Sequence, residues 1–337
     1  MISISSATPH PVLPGGRRPS SYARSLGPVI GLILVILVFA LLSGAPGRYL
    51  SLTNLRVVLA QTVIVAIGAI GMTMIIISAG IDLSVGAVVS LTSVVTALLL
   101  RSSWHPVAAV GVGILVGGLV GITNGLTITT LRVVPFIATL GMLGVARGIA
   151  KWVANEQTVN APDTWVNLLA VTFPPKPWML VAPAVWIAIL LALMMTLILR
   201  RTVFGRHIFA LGSNEAAARA CGIATNRLKV FIYGFAGLFF GLAGVIQMSR
   251  LRQGDPTVAV GLELDVIAAV VIGGASLNGG EGSLPGAMVG ALVMAFLRNG
   301  SQQMGWPNYI QEIMIGSIIV LAVAADRYRS AKARLQL

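Results

Sequence analysis

Ionisable side chains are rare in this sequence, and those near long apolar runs are the first candidates for chemistry. Asp82 follows one run, Arg147 lies within another, and Glu263 and Asp265 begin a third. Ionisable groups in apolar runs long enough to cross a bilayer are costly and commonly serve ion or proton relays. These four are too scattered along the chain to predict a relay, which argues against an ion-driven mechanism.

Each of these residues also has a structural explanation. Asp82 follows a glycine just ahead of an apolar helix, where a carboxylate caps the helix N-terminus. Glu263 and Asp265 favour the positive end of a helix, and Arg147 near the end of its run can extend to water. For Asp82, helix capping and a direct role in a solute pathway both stay open.

Neutral polar residues near run ends suit the passage of an uncharged, hydroxyl-rich solute. Asn124 ends one run and equally predicts a hydrogen bond between helices. Our candidates for a translocation pathway are Asp82, Ser84, Asn124, Phe136 and Thr139.

Residues for catalysis are not evident. The chain has no G-x-x-x-x-G-K-[ST] phosphate loop, and His10, His105 and His207 are too scattered for a metal site. Cys221 is the single cysteine, which excludes an intrachain disulfide. We therefore expect a non-catalytic chain that binds no cofactor and no metal.

The apolar runs predict an all-α polytopic membrane protein. The chain has 337 residues, of which 56% are hydrophobic, and its mean hydropathy is +0.92. Each crossing takes about 20 residues, and crossing runs must be helical. About ten spans are predicted, at 27–43, 55–78, 83–100, 106–129, 133–153, 179–200, 228–249, 263–279, 284–303 and 309–326.

The basic residues predict the orientation of these spans. The net charge of +13 is concentrated at span ends, which indicates orientation within membrane lipid rather than a nucleic-acid partner. Both termini are predicted to be cytoplasmic. The first run resembles a signal peptide after Arg17 and Arg18, but the many later runs favour an uncleaved first span. The predicted domains are a cytoplasmic tail at 1–25, a transmembrane domain at 26–327 with a cytoplasmic loop at 201–227, and a cytoplasmic tail at 328–337.

Two pairs of motifs predict an internal repeat. GIDLSVG at 80–86 is similar to GDPTVAVG at 254–261. A stretch that ends in Asn-Gly at 124–125 is similar to one that ends in Asn-Gly at 299–300. In both pairs the second copy follows the first by about 174 residues. An odd number of spans separates the copies, so the repeats are inverted, as in many transporters. Chance similarity between glycine-rich helices is the alternative. Gly113, Gly117 and Gly121 lie four residues apart and predict close helix packing.

The stretch GRHIFALGSNEAAARACGI at 205–223 interrupts the apolar sequence. Ser213 or Asn214 can cap a helix, Glu215 lies in its first turn, and Gly222 follows its end. Such a helix is too short to span a membrane, and its alanines offer a smooth surface for docking. A plain loop is the alternative.

Four motifs now resemble a known family. The resemblance is to inner-membrane permeases of bacterial ABC importers of the ribose, xylose and autoinducer type, over about residues 50–326. The four motifs are GRHIFALGSNEAAARACGI, GIDLSVGAVVSL, PFIATLGMLGVARG and LDVIAAVVIGGASLNGGEGSLPGAMVGAL. We call the loop at 201–227, which contains the first motif, the coupling loop. More distant members of that group carry branched-chain amino acids or nucleosides.

The resemblance implies a division of labour. A cytoplasmic ATPase subunit would bind ATP and Mg²⁺, a periplasmic protein would bind the sugar, and a second permease subunit, identical or similar, would complete a dimer in the bacterial inner membrane. The coupling loop would dock on the ATPase, and its movement would rock the two repeat halves against each other. Its matching positions are Gly212, Asn214, Glu215, Ala216, Ala217, Ala218, Gly222 and Ile223.

Three alternatives to an ATP-driven sugar permease stay open. The closest is an ABC permease for branched-chain amino acids or nucleosides. An ion-coupled secondary transporter would work without an ATPase, and a membrane scaffold would not transport at all.

Overall fold

The computed structural model describes residues 21–174 and 179–334, and most of these are helical. A 3₁₀ helix covers Trp165–Leu168, and strand β1 (Val159–Asn160) pairs antiparallel with β2 (Gln253–Gly254). The α-helices are α1 (Ser21–Leu42), α2 (Pro46–Tyr49), α3 (Leu52–Ile77), α4 (Val85–Arg101), α5 (Pro106–Thr130), α6 (Pro135–Val153), α7 (Pro183–Arg201), α8 (Val203–Ser213), α9 (Glu215–Ala220), α10 (Thr225–Leu251), α11 (Leu262–Ile272), α12 (Leu284–Gln303) and α13 (Asn308–Arg334).

Each predicted span contains a helix, but the helices are not equally suited to crossing a bilayer. Within the described residues, five are long and apolar enough, namely α3, α5, α6, α7 and α10. These five make the chain a multi-pass, nearly all-α membrane protein, while the count of ten spans stays a prediction.

The predicted span 263–279 is wrong in its length. Helix α11 has only 11 residues, which extend about 16 Å. It ends because Gly273 is followed by Gly274 with φ +92°, a left-handed conformation that glycine adopts without strain. Residues 273–283 then form a glycine-rich loop, which we call the glycine loop.

Helix α3 lies at the centre of the bundle. Its most apolar part is 94% buried, whereas the corresponding parts of α5, α6 and α7 are 28%, 17% and 33% buried. A helix that is apolar all round belongs in a core. Helices α10, α12 and α11 pack around α3, and many of the large apolar side chains of α5, α6 and α7 are exposed on the outside of the bundle.

Glycines bring α5 and α10 into backbone contact. A Cβ added at Gly117 would lie 2.7 Å from the backbone of Gly241, and one at Gly121 would lie 3.1 Å from the Cα of Gly234. The predicted close packing of the glycines in α5 is therefore confirmed. We call this contact the glycine seam.

The two motifs of the predicted repeat form the same turn. Asp82 Oδ1 accepts hydrogen bonds from the backbone N–H and hydroxyl of Ser84, at 2.8 and 2.6 Å. Asp255 Oδ1 accepts the same two bonds from Thr257, both at 2.7 Å. One turn follows α3 and the other follows α10. The inverted repeat itself stays a prediction.

The ends of the chain bear on the predicted tails. Of the predicted tail 1–25, residues 1–20 lie outside the described part, and α1 begins at Ser21. At the other end, α13 continues to Arg334, so most of the predicted tail 328–337 is helical and residues 335–337 lie outside the described part. The helix continues because no glycine or proline interrupts the sequence after Gly316.

Candidate functional site

The coupling loop folds into two helices rather than the single helix expected. Thr202 caps α8 by accepting a hydrogen bond from the N–H of Gly205, at 3.3 Å. Asn214 ends α8 and caps α9, and its Oδ1 accepts a bond from the N–H of Ala217 at 3.0 Å. The prediction missed α8, although its apolar residues recur at helical spacing, with Ile208 and Leu211 three residues apart and both buried.

The end of α9 follows the predicted glycine cap. Gly222 has φ +85°, and its N–H donates to the carbonyl oxygen of Arg219 at 3.0 Å. The N–H of Ile223 donates to Ala218 at 3.1 Å. These two bonds form a Schellman motif, which favours glycine at this position.

Helix α9 presents small side chains to the surface. Ala216, Ala217 and Ala220 are exposed, and only Ala218 is buried, at 5% exposure. A face built from methyl groups has no long side chains to order on binding, so it can enter a groove with little loss of conformational entropy. Helix α9 therefore presents a shallow surface of small side chains, the kind of surface that the predicted docking requires.

Glu215 fastens α9 to α10. Its carboxylate accepts a hydrogen bond from Lys229 Nζ at 2.7 Å and from Arg219 at 3.1 Å. Partial burial raises the pKa of Glu215, but the hydrogen bonds and charges of Lys229 and Arg219 outweigh burial and leave the pKa below its ordinary value. The group is therefore ionised at neutral pH.

Gly212 joins the coupling loop to the core. A Cβ at this position would overlap the carbonyl oxygen of Ile77 and would lie 2.6 Å from the N–H nitrogen of Gly280. That nitrogen donates to Ile77 at 2.8 Å, so it satisfies a carbonyl at the end of α3. Three backbones thus meet at one point: α8, the end of α3 and the glycine loop.

Four of the five pathway candidates come together in one buried cluster. The exposed fractions of Asp82, Ser84, Asn124 and Thr139 are all 0–1%. Asn124 Nδ2 donates to Asp82 Oδ2 at 3.2 Å and to Ser84 Oγ at 3.0 Å. The Oγ1 of Thr139 accepts a bond from the N–H of Leu83 at 3.1 Å. We call these four residues the Asp82 cluster.

The Asp82 cluster ties helices together and has no surface exposure. Phe136, the fifth candidate, lies one turn before Thr139 and is 47% exposed, apart from the cluster. Helix α4 begins after Ser84, and Asp82 bonds Ser84 rather than the first turn of α4. The predicted N-cap is therefore wrong, because the carboxylate closes the preceding turn. A pathway role for all five residues stays a prediction.

The other ionisable candidates have mixed outcomes. Glu263 and Asp265 lie in the first turn of α11, as predicted. Arg147 is half-buried, and its Nη1 donates to the carbonyl oxygen of Val258 at 2.6 Å, so it also holds the segment before α11. Arg298, which was not among the predicted residues, forms an ion pair with Asp265. An arginine inside the apolar run of α12 was the available signal.

Comparisons with known proteins extend over nearly the whole chain. The model of the family described as branched-chain amino acid transport system / permease component matches residues 54–323. The ribose import permease protein RbsC of Escherichia coli K12 is 39% identical over 88% of this chain and 92% of its own.

Two further relatives match at similar coverage. The L-arabinose ABC transporter permease protein AraH of Azospirillum brasilense is 33% identical over 90% of this chain and 89% of its own. The fructose import permease protein FrcC of Rhizobium meliloti is 33% identical over 89% and 84%. No solved structure matches the chain significantly. The family match and these identities agree with the order of motifs and the helical membrane fold, and the chain therefore belongs to the family of branched-chain amino acid transport system permease components.

Proposed function

We propose that this chain is the membrane-spanning permease subunit of an ATP-driven importer that carries a simple, ribose- or xylose-like sugar across the bacterial inner membrane. The names of the relatives support the substrate class, since they refer to ribose, arabinose and fructose. The observation that carries the mechanism is the contact of Gly212 with Ile77 and Gly280, because it joins a surface helix pair to the core helix.

The chain itself supplies movement and a passage. A separate ATPase subunit binds ATP and Mg²⁺ and docks on the exposed alanine face of α9. Its movement pushes α8, and the close backbone contact at Gly212 transmits the push to α3 and the glycine loop. Tightly packed backbones transmit displacement because they leave no free volume to absorb it.

The remaining partners follow from the same division of labour. A periplasmic sugar-binding protein delivers the substrate on the side opposite the ATPase, and a second permease subunit, identical or similar, completes the passage. Both termini then lie in the cytoplasm with the coupling loop. The matched Asp82 and Asp255 turns support two inverted halves within each chain.

A second substrate class has a specific observation behind it. The family description names branched-chain amino acid transport, so a permease for these amino acids is the alternative, together with nucleosides. An ion-coupled transporter would instead use a buried charge such as Asp82. It would need no ATPase.

One experiment separates these functions. The chain is purified with the products of its neighbouring genes and placed in liposomes, and ATP hydrolysis and uptake are measured with D-ribose, leucine and adenosine in turn. The proposal expects sugar-stimulated ATPase activity and ATP-dependent sugar uptake. Stimulation by leucine or adenosine alone would support an amino-acid or nucleoside permease instead of a sugar permease. Uptake driven by an ion gradient without ATP would refute an ATP-driven importer.

A further inference from the structure

A small polar cavity lies among α3, α10, α11 and α12, outside the two sites described above. Its volume is about 150 Å³. By the volume of liquid water this holds about five water molecules. Its polar lining consists of Gln61, Gln247, Arg250, Asp265, Arg298 and Gln302. We call it the Asp265 cavity.

Two buried polar atoms at this cavity have no partner among residues 21–174 and 179–334. Asp265 Oδ2 bonds Arg298, but Asp265 Oδ1 is buried and unpaired, and so is Arg298 Nε. The side chain of Asp265 is only 4% exposed. Buried polar atoms are normally hydrogen-bonded, so these two mark an ion pair whose polar groups are not fully satisfied within the described residues. Both atoms are closed off from the cavity, so a ligand in it would contact the neighbouring polar side chains.

The lining chemistry matches a neutral polyol. The amide oxygens of Gln61, Gln247 and Gln302 accept hydroxyl protons, while amide and guanidinium groups donate to hydroxyl oxygens. Gln61 Nε2 and Gln302 Oε1 are 3.5 Å apart, a long contact that leaves both amides able to bind a ligand. The lining has three charged residues, Arg250, Asp265 and Arg298, and the charges of Asp265 and Arg298 neutralise each other in their ion pair.

The position of the cavity also fits entry of a substrate. Helix α10 begins at Thr225, three residues beyond Gly222 in the coupling loop, and Gln247 comes 22 residues later. At 1.5 Å per residue this is about 33 Å along the helix. The cavity therefore lies at the end of α10 far from the ATPase-docking face, on the side where a binding protein delivers sugar.

We propose that the Asp265 cavity is a polyol-binding site that receives the sugar before it crosses the membrane. The amides of Gln61, Gln247 and Gln302 bind hydroxyl groups, and the ion pair of Asp265 with Arg298 forms one wall of the cavity. The inference rests on the proposed function, since the polyol is the substrate of the importer.

The first test removes the amide of Gln61 without changing its size greatly. Gln61→Leu is compared with Thr62→Val, the next residue of α3, whose hydroxyl bonds its own helix at Val58 and does not line the cavity. In liposomes with the ATPase and the D-ribose-loaded binding protein, Gln61→Leu is expected to lower uptake about fivefold, the loss of one hydrogen bond. Thr62→Val is expected to transport normally.

The second test asks directly whether sugar occupies the cavity. Gln302→Cys is made in a Cys221→Ser background, so that a water-soluble thiol reagent has one target. D-ribose delivered by the binding protein is expected to slow the labelling, and D-fructose and L-arabinose serve as comparison sugars. A shift in labelling does not depend on transport rate, so it detects binding even where a variant transports poorly.

The outcomes distinguish this inference from the proposed function. If the assembly with the unaltered chain takes up no sugar, the proposed function fails. If it takes up D-ribose while Gln61→Leu transports normally and sugar gives no protection at Gln302→Cys, only the polyol site is overturned. Protection together with a selective loss in Gln61→Leu supports the site.

Discussion

Gly212→Ala tests the connection between the coupling loop and the core. The added Cβ would overlap the Ile77 carbonyl oxygen and press on the Gly280 nitrogen, and both are backbone atoms that cannot rotate away. Overpacking typically costs about 1–3 kcal/mol. Breaking the 2.8 Å bond between Gly280 and Ile77 adds about 0.5–1.5 kcal/mol. We expect a total loss of about 2–4 kcal/mol in the free energy of unfolding.

The measurement combines stability with coupling. Thermal unfolding in detergent should show a lower midpoint, and sugar-stimulated ATPase activity in liposomes should fall while the ATPase still co-purifies, because α9 keeps its exposed face. Ser213→Ala is the matched control, since it removes only a bond to Phe209 within α8 and should stay within about 0.5 kcal/mol. Wild-type stability and stimulation in Gly212→Ala would refute the proposed transmission.

Three further predictions concern the other features. Ala217→Trp places a large ring on the exposed face of α9 and should abolish co-purification with the ATPase while the permease remains folded; retained association would contradict docking there. Glu215 has a lowered pKa, so its contribution is present above the ordinary value of 4.5 and is lost as the pH falls through the lower folded value. ATPase association should therefore be constant from about pH 8 to 5 and weaken only in stronger acid, and a loss near pH 6 would exclude Glu215 as the cause. Asn124→Leu leaves Asp82 Oδ2 without its donor and should lower stability by about 1–3 kcal/mol in thermal unfolding, whereas an unchanged midpoint would show that the Asp82 cluster is not a brace.

Local signals in the sequence were sufficient for part of this structure. The cap at Asn214 and the glycine at Gly222 act within a few residues, so α9 could be predicted with its ends nearly correct. Long apolar runs predicted the helices α3, α5 and α10, because hydropathy is also read from neighbouring residues of the sequence. In contrast, α11 was predicted too long because hydropathy continues across Gly273 and Gly274, where the backbone conformation changes.

Tertiary contacts account for what was missed. Asp265 and Arg298 belong to different apolar runs, and nothing local to either residue indicates that they pair. Asp82 and Asn124 were both candidates, but their hydrogen bond depends on how α5 approaches the turn after α3. Gly212 was recognised as part of a motif, although its contact with Ile77 follows only from the packed fold.

The glycine seam has a consequence for how such a chain moves. Helix α5 belongs to the first half of the predicted repeat and α10 to the second, yet their backbones touch at Gly117 and Gly241 with no side chains between them to slide or repack. Each half is thereby interlocked with the other, and rocking of one half against its twin would have to pull this contact apart. We therefore expect a single chain of this kind to turn as one body rather than to rock between its halves. In the proposed dimer, the gate would then lie where two whole chains face each other.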